Sequence, residues 1–146
     1  MSSRGVLPAQ ALRALIGTGA ITATPEILDA QIQPASLDLR LGPVAYRVRA
    51  SFLAGNGRKV ADRIAEFEMH RMDLTAGAVL EKGCVYVIPL MEHLALPAGI
   101  TAVANAKSST GRLDLLTRSI TDGGTEFDRI PEGYHGPLYA EVCPKS

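Results

Sequence analysis

The sequence predicts an all-β fold, a barrel or jelly roll, preceded by one short helix. Three observations carry this reading. Short runs either alternate apolar and polar residues or are rich in β-branched ones, as in "SLDLRLG" (36–42), "VAYRVRA" (44–50) and "CVYVIPL" (84–90). Fourteen glycines and nine prolines sit mostly between such runs, where turns belong. Helical periodicity is confined to two brief stretches, 8–17 and 58–66.

Taken in order, "PAQALRALIG" (8–17) predicts a helix that starts at Pro8, places Leu12, Leu15 and Ile16 on one face and ends at Gly17. In 36–42, Leu37, Leu39 and Leu41 alternate with Ser36, Asp38 and Arg40, the pattern of a half-buried strand. Residues 44–50 alternate again, and "RKVADRIAE" (58–66) predicts a second helix. "CVYVIPL" is apolar throughout and predicts a more deeply buried strand. "GITAVANA" (99–106) and "GPLYAEV" (136–142) predict further strands. The last residues, "EVCPKS", follow directly on a strand, whereas closed β folds leave few edges unpaired. The expectation is a single domain over 1–146 that lacks its closing C-terminal strand and is a fragment of a longer chain.

Composition narrows the function. A domain of 146 residues buries roughly 70% of the surface its unfolded chain exposes. With 47% hydrophobic and 21% charged residues the chain is globular and not disordered. Fifteen Lys+Arg balance fifteen Asp+Glu, which argues against a nucleic-acid coat but leaves room for a small anionic ligand. Cys84 and Cys143 form no CxxC and read as reduced, partly buried thiols. No secretory leader pattern and no apolar run near the ~18 residues of a membrane helix is visible, so the expected location is cytoplasmic, with no membrane partner. His70, His93 and His135 show no H-x-x-x-H or H-x-E spacing and read as surface residues; no protein-bound zinc is expected.

Two segments hold candidate chemistry. In "AKSSTGRLDLL" (106–116), Ser108, Ser109 and Thr110 offer hydroxyl and backbone donors, Gly111 allows close backbone approach, and Lys107 and Arg112 bracket them with positive charge. That set suits a phosphate; it equally suits a Ser/Thr helix cap flanked by solvated cations. It is not a Walker loop, because G-x-x-x-x-G-K-[ST] is absent. In "LYAEVC" (138–143), alternation puts Tyr139 and Glu141 on one face and Leu138, Ala140 and Val142 on the other. A carboxylate among apolar neighbours is paired, exposed or held for proton transfer. An exposed Glu on the wet face of a sheet is the commoner case.

Three segments in fixed order supply a resemblance. "QPASLDLRLG" (33–42), "KSSTGRLDL" (107–115) and "IPEGYHGPLYAEV" (130–142) are similar to the three motifs of the dCTP deaminase and dUTPase superfamily, with Lys107 where arginine is usual. The likeness runs from the N-terminal helix to the last residue and is strongest to the first half of the fused, two-domain bacterial dCTP deaminases. It implies a distorted jelly-roll, or β-clip, dUTPase-like fold that forms a homotrimer or pseudo-trimer with sites between subunits. It also implies a hydrolase acting on the C–N bond of a cyclic amidine, converting dCTP to dUTP and ammonia. Mg²⁺ would arrive with the triphosphate. Lys107, Ser108, Ser109, Gly111 and Arg112 would hold the phosphates and the reacting centre, Tyr139 would line the pyrimidine pocket largely through its backbone, and Glu141 would match the catalytic glutamate.

The sequence also departs from the pattern. The family's Asp after Ile is Pro131 here, with Asp128 and Glu132 nearby but out of register, and the link 117–128 is longer than usual. Two alternatives follow. Tyr134-x-Gly136 has the spacing of a dUTPase-like diphosphatase. Pro131 and the long link suit a non-catalytic half that only builds the trimer.

Overall fold

The computed structural model describes residues 5–106 and 115–145. Helix α1 spans Ala9–Gly17 and buries Leu12, while Leu15 and Ile16 pack on the nearby apolar cluster. The carbonyl of Pro8 accepts the N–H groups of Ala11 and Leu12, and Thr18 closes the other end by donating its N–H to Ala14. Strands β1 (Ile21–Ala23) and β2 (Val44–Val48) follow, then helix α2 (Val60–Phe67) and β3 (Glu68–Asp73). The remaining strands are β4 (Val85–Ala95), β5 (Ala102–Val103), β6 (Leu115–Thr121), β7 (Arg129–Ile130) and β8 (His135–Pro144).

The main sheet is antiparallel in the order β3-β2-β4-β8-β6, with β1 paired to the far end of β4, and β5 and β7 form a small second sheet. The arrangement is an open sheet and not a closed barrel. Strand β4 is long enough to serve two neighbourhoods because its pairing with β8 slips between Pro89 and His93. Before that irregularity it pairs with β2; after it, Leu94 meets Ile21 of β1.

Strand β8 lies inside the sheet between β4 and β6, and its alternation organises the core. Tyr139 faces a cluster with Val48, Phe52, Ile64, Val87 and Ile120, roofed by α2. Ala140 and Val142 face the opposite cluster with Ala45, Tyr86 and Ile88. Each large apolar side chain of these clusters contributes roughly 1.5–3 kcal/mol on full burial, so this strand is fixed in register from both faces.

Three segments differ from the sequence expectation. Residues 36–42 make isolated bridges, Ile32 with Leu37 and Leu41 with Leu90, and no continuous strand. Leu39 and Leu41 are 37% and 47% exposed, so the alternation there does not mark a buried face. The backbone of this segment bonds partly to other backbone, as in Gly42 N–H to Pro89 O at 2.8 Å and Met91 N–H to Arg40 O at 3.0 Å, and partly to side chains: Arg40 N–H donates to Glu92 Oε1 at 2.9 Å, and the Asp38 carbonyl accepts from Gln31 Nε2 at 2.8 Å. Of 99–106, only Ala102–Val103 is strand. In the other direction, "EMHRMD" forms β3, an edge strand whose mostly exposed, polar side chains give no periodic signal. Cys84 is half-buried and Cys143 buried, both free, and all three histidines are exposed. No helix among the described residues is long and apolar enough to cross a membrane.

Candidate active site

Glu141 lies in the middle of β8, opposite Val87 of β4 on one side and Arg118 of β6 on the other. It shares the α2 side of the sheet with Tyr139, as the alternation predicts, and both are nearly enclosed, with 5% and 7% of their surface exposed. Ser51 Oγ donates a hydrogen bond of 2.5 Å to Glu141 Oε1. Among the described residues Oε2 has no hydrogen-bond partner. A carboxylate held by one oxygen with the other unpaired can exchange a proton with a small molecule that reaches it.

The loop that delivers Ser51 connects β2 to α2 and is anchored at several points. Phe52 stacks on Phe67 with ring centroids 5.5 Å apart, and Ala54 is fully buried. Gly55 N–H donates to Gly124 O at 2.9 Å, and Gly123 N–H donates to Arg58 O at 2.7 Å. Lys59, at the N-cap of α2, offers no side-chain cap. Asp122 supplies one from the β6–β7 connection, its Oδ1 accepting Val60 N–H at 2.9 Å. The long 117–128 link therefore has a structural role, clamping the Ser51 loop and capping the helix that roofs Glu141.

Arg118 stands opposite Glu141 in the ladder, but its guanidinium lies over the ring of Phe127, 4.8 Å from the centroid. Tyr139 lines a groove of about 280 Å³ together with Tyr46, Ile64, Glu68, Arg71 and Pro89. Burial first, and then the negative charge of Asp122, pushes the Tyr139 phenol up to about 12. It stays a neutral donor across the physiological range.

The acids near Pro131 are occupied elsewhere. Asp128 Oδ1 accepts Ser119 N–H at 2.7 Å, and its own N–H donates to Ser119 O at 3.0 Å, covering the outer edge of β6. Asp128 has φ of 64°, a conformation aspartate tolerates better than most residues. Glu132 Oε1 accepts Gly99 N–H at 2.5 Å. Tyr134 is committed as well. Its hydroxyl accepts Asp122 N–H at 3.0 Å and donates to Pro137 O at 2.6 Å. A Cβ at Gly136 would sit 2.8 Å from that hydroxyl, so the Tyr-x-Gly spacing here has a packing cause.

The "QPASLDLRLG" segment is fastened by Glu92, fully buried at the β4 irregularity. Glu92 Oε2 accepts from Arg40 Nε at 2.9 Å and Gln31 Nε2 at 3.0 Å, and Oε1 accepts Arg40 N–H. Lys107, Ser108, Ser109, Gly111 and Arg112 lie in 107–114, outside the described residues.

Residues 3–146 match the model of the 2'-deoxycytidine 5'-triphosphate deaminase (DCD) N-terminal domain. The chain belongs to the dCTP deaminase N-terminal domain family. A crystal structure of 2'-deoxycytidine 5'-triphosphate deaminase from Agrobacterium tumefaciens is similar at 55% sequence identity and a TM-score of 0.93. That match covers 97% of this chain and 42% of the other, so this chain spans less than half the length of that protein. The open antiparallel sheet with its two short helices is the dUTPase-like fold of the dCTP deaminase family.

Sequence reasoning correctly pairs Tyr139 and Glu141 on one face. It misses Ser51, Arg118 and Asp122. Ser51 is ninety residues from Glu141 and sits in a loop without periodicity. Arg118 and Asp122 fall in the stretch expected to be a link, although the alternation Thr117, Ser119, Thr121 against Arg118, Ile120 is a strand signal in that very stretch.

Proposed function

We propose that this dCTP deaminase family member catalyses hydrolytic deamination of dCTP, with Glu141 as the proton shuttle. The observation that carries the reading is Glu141 itself: a carboxylate on an interior strand of the main sheet, almost enclosed, bound through one oxygen to a neutral hydroxyl and without a second partner among the described residues. Glu141 Oε2 takes a proton from water, whose oxygen adds to C4 of the cytosine. The same carboxylic acid returns the proton to the exocyclic amine, the C4–N4 bond breaks as ammonia leaves, and the proton of the added hydroxyl passes to N3, so that C4 becomes the carbonyl of dUTP. One carboxylate serving both steps contributes roughly 10²–10⁴-fold.

The phosphate-binding assignment of Lys107, Ser108, Ser109, Gly111 and Arg112 rests on the resemblance of "KSSTGRLDL" to the family motif, and that of Tyr139 on its place two residues before Glu141. Mg²⁺ belongs to the substrate, carried by the triphosphate. The functional unit is a trimer or pseudo-trimer in a cytoplasmic nucleotide pathway, and light scattering on the purified protein tests its assembly. Incubation with Mg·dCTP, with dUTP and ammonia measured together, tests the chemistry. Stoichiometric appearance of both supports it; neither product overturns it.

One observation favours a second reading, a non-catalytic partner half. Asp128 and Glu132, the acids flanking Pro131, are both tied to backbone N–H groups and do not replace the missing Asp. Nucleotide binding without turnover by the protein would favour this reading. The diphosphatase alternative loses its motive, because Tyr134 is held by Asp122 and Pro137; pyrophosphate release from dUTP would revive it.

A further inference from the structure

We infer that Ser51 is a positioning residue for the deamination step, orienting the Glu141 carboxylate through its hydroxyl; this rests on the reading of Glu141 as proton shuttle. Four features of the molecule converge on it. The bond from Ser51 Oγ to Glu141 Oε1 is 2.5 Å, the short distance of a hydroxyl donating to a charged oxygen. Ser51 is itself exposed while Phe52 and Ala54 beside it are buried, so its side chain is not there to fill the core. The loop is held just beyond the serine, by the Phe52–Phe67 stack and by the paired backbones of Gly55 with Gly124 and Arg58 with Gly123. No other hydrogen bond restrains the Glu141 side chain among the described residues.

The chemical consequence is specific. A glutamate side chain has three rotatable bonds, and without a second contact its two oxygens exchange roles by rotation about the last of them. A donor on Oε1 removes that freedom and leaves Oε2 as the basic oxygen. Among the described residues the donor on Glu141 is a neutral hydroxyl and not a cation, and a carboxylate oriented by such a group can take up and release a proton within one cycle. Ser51 touches neither water nor nucleotide in this scheme. It acts through Glu141, and the clamp between the Ser51 loop and residues 122–124 makes the β6–β7 connection part of the same device.

The test is steady-state deamination of Mg·dCTP by the parent protein and by Ser51→Ala and Ser51→Thr, each checked for parental circular dichroism and melting. Loss of orientation lowers kcat, whereas substrate binding through the phosphate segment is untouched. Ser51→Ala is expected to lose roughly 10- to 100-fold in kcat with KM within about threefold of the parent, the scale of a misplaced reacting group. Ser51→Thr, which keeps the hydroxyl, is expected to stay within a few-fold of the parent. Parental kcat in Ser51→Ala overturns the assignment and leaves the reading of Glu141 intact. A rise in KM that accounts for the whole loss, or a Ser51→Thr variant as slow as Ser51→Ala, overturns it too. No ammonia from the parent protein overturns the functional reading and this inference with it.

Discussion

Glu92 offers the sharpest test of how the first motif segment is held. The perturbation is Glu92→Gln, which keeps shape and removes one acceptor and the charge. Glu92 is fully buried and accepts three hydrogen bonds, two from Arg40 and one from Gln31. The best orientation of a glutamine leaves its carbonyl oxygen on Arg40 Nε and Gln31 Nε2, and turns its NH₂ toward Arg40 N–H, donor against donor. Breaking a buried pair by changing one partner costs about 3–5 kcal/mol. The Arg40 side chain keeps 21% of its surface in water, so the low end applies, about 3 kcal/mol. For a domain of this size that is a fall in Tm of roughly 6–12 °C. Urea denaturation followed by circular dichroism measures it, and an unchanged m-value shows that the loss is in stability and not in the unfolded state. A loss below about 1 kcal/mol refutes Glu92 as the fastening of residues 31–40.

Other expectations follow from the clamp over the site and from the tyrosines. Asp122→Ala removes the cap from α2 and is expected to cost about 1 kcal/mol in chemical denaturation, with Asp122→Asn retaining most of it; equal losses in both contradict the capping role. Gly136→Ala drives a methyl into the Tyr134 ring and is expected to cost roughly 1–3 kcal/mol, and a neutral result would mean that Tyr134 is not fixed there. Tyr134 and Tyr139 are both raised to about 12, chiefly by burial, so two of the four tyrosines should stay protonated well above pH 10 in a titration followed by phenolate absorbance. The unfolded chain releases those protons near pH 10 while the folded one holds them. The stability they contribute is therefore complete below pH 10 and is lost as pH rises toward 12; a melting temperature flat between about pH 9.5 and about pH 11.5 contradicts this.

Legibility follows physical range. The α1 stripe of Leu12, Leu15 and Ile16 and the alternation in 136–142 are local patterns, and the structure keeps both. The pairing of Tyr139 with Glu141 on one face comes from the same period of two. Leu37, Leu39 and Leu41 mislead because that segment is held by Glu92 and Gln31, side chains whose reach no local periodicity reports. Strand β3 is silent because edge strands need no apolar face. Ser51 and Asp122 reach their targets across 90 and 62 residues, and a single Ser or Asp in a loop looks the same whether it caps a distant group or faces water. The departures around Pro131 are visible in the sequence, but what Asp128, Glu132 and Tyr134 do instead emerges only from their hydrogen bonds.

Whether Glu141 moves the proton in deamination is read most directly from ammonia and dUTP release from Mg·dCTP by the parent protein and by Glu141→Gln. If it does, the parent turns over, and Glu141→Gln, isosteric and still able to accept from Ser51, loses at least about 10²-fold in kcat while binding dCTP comparably. Turnover by Glu141→Gln at the parental rate would contradict the role assigned to this carboxylate.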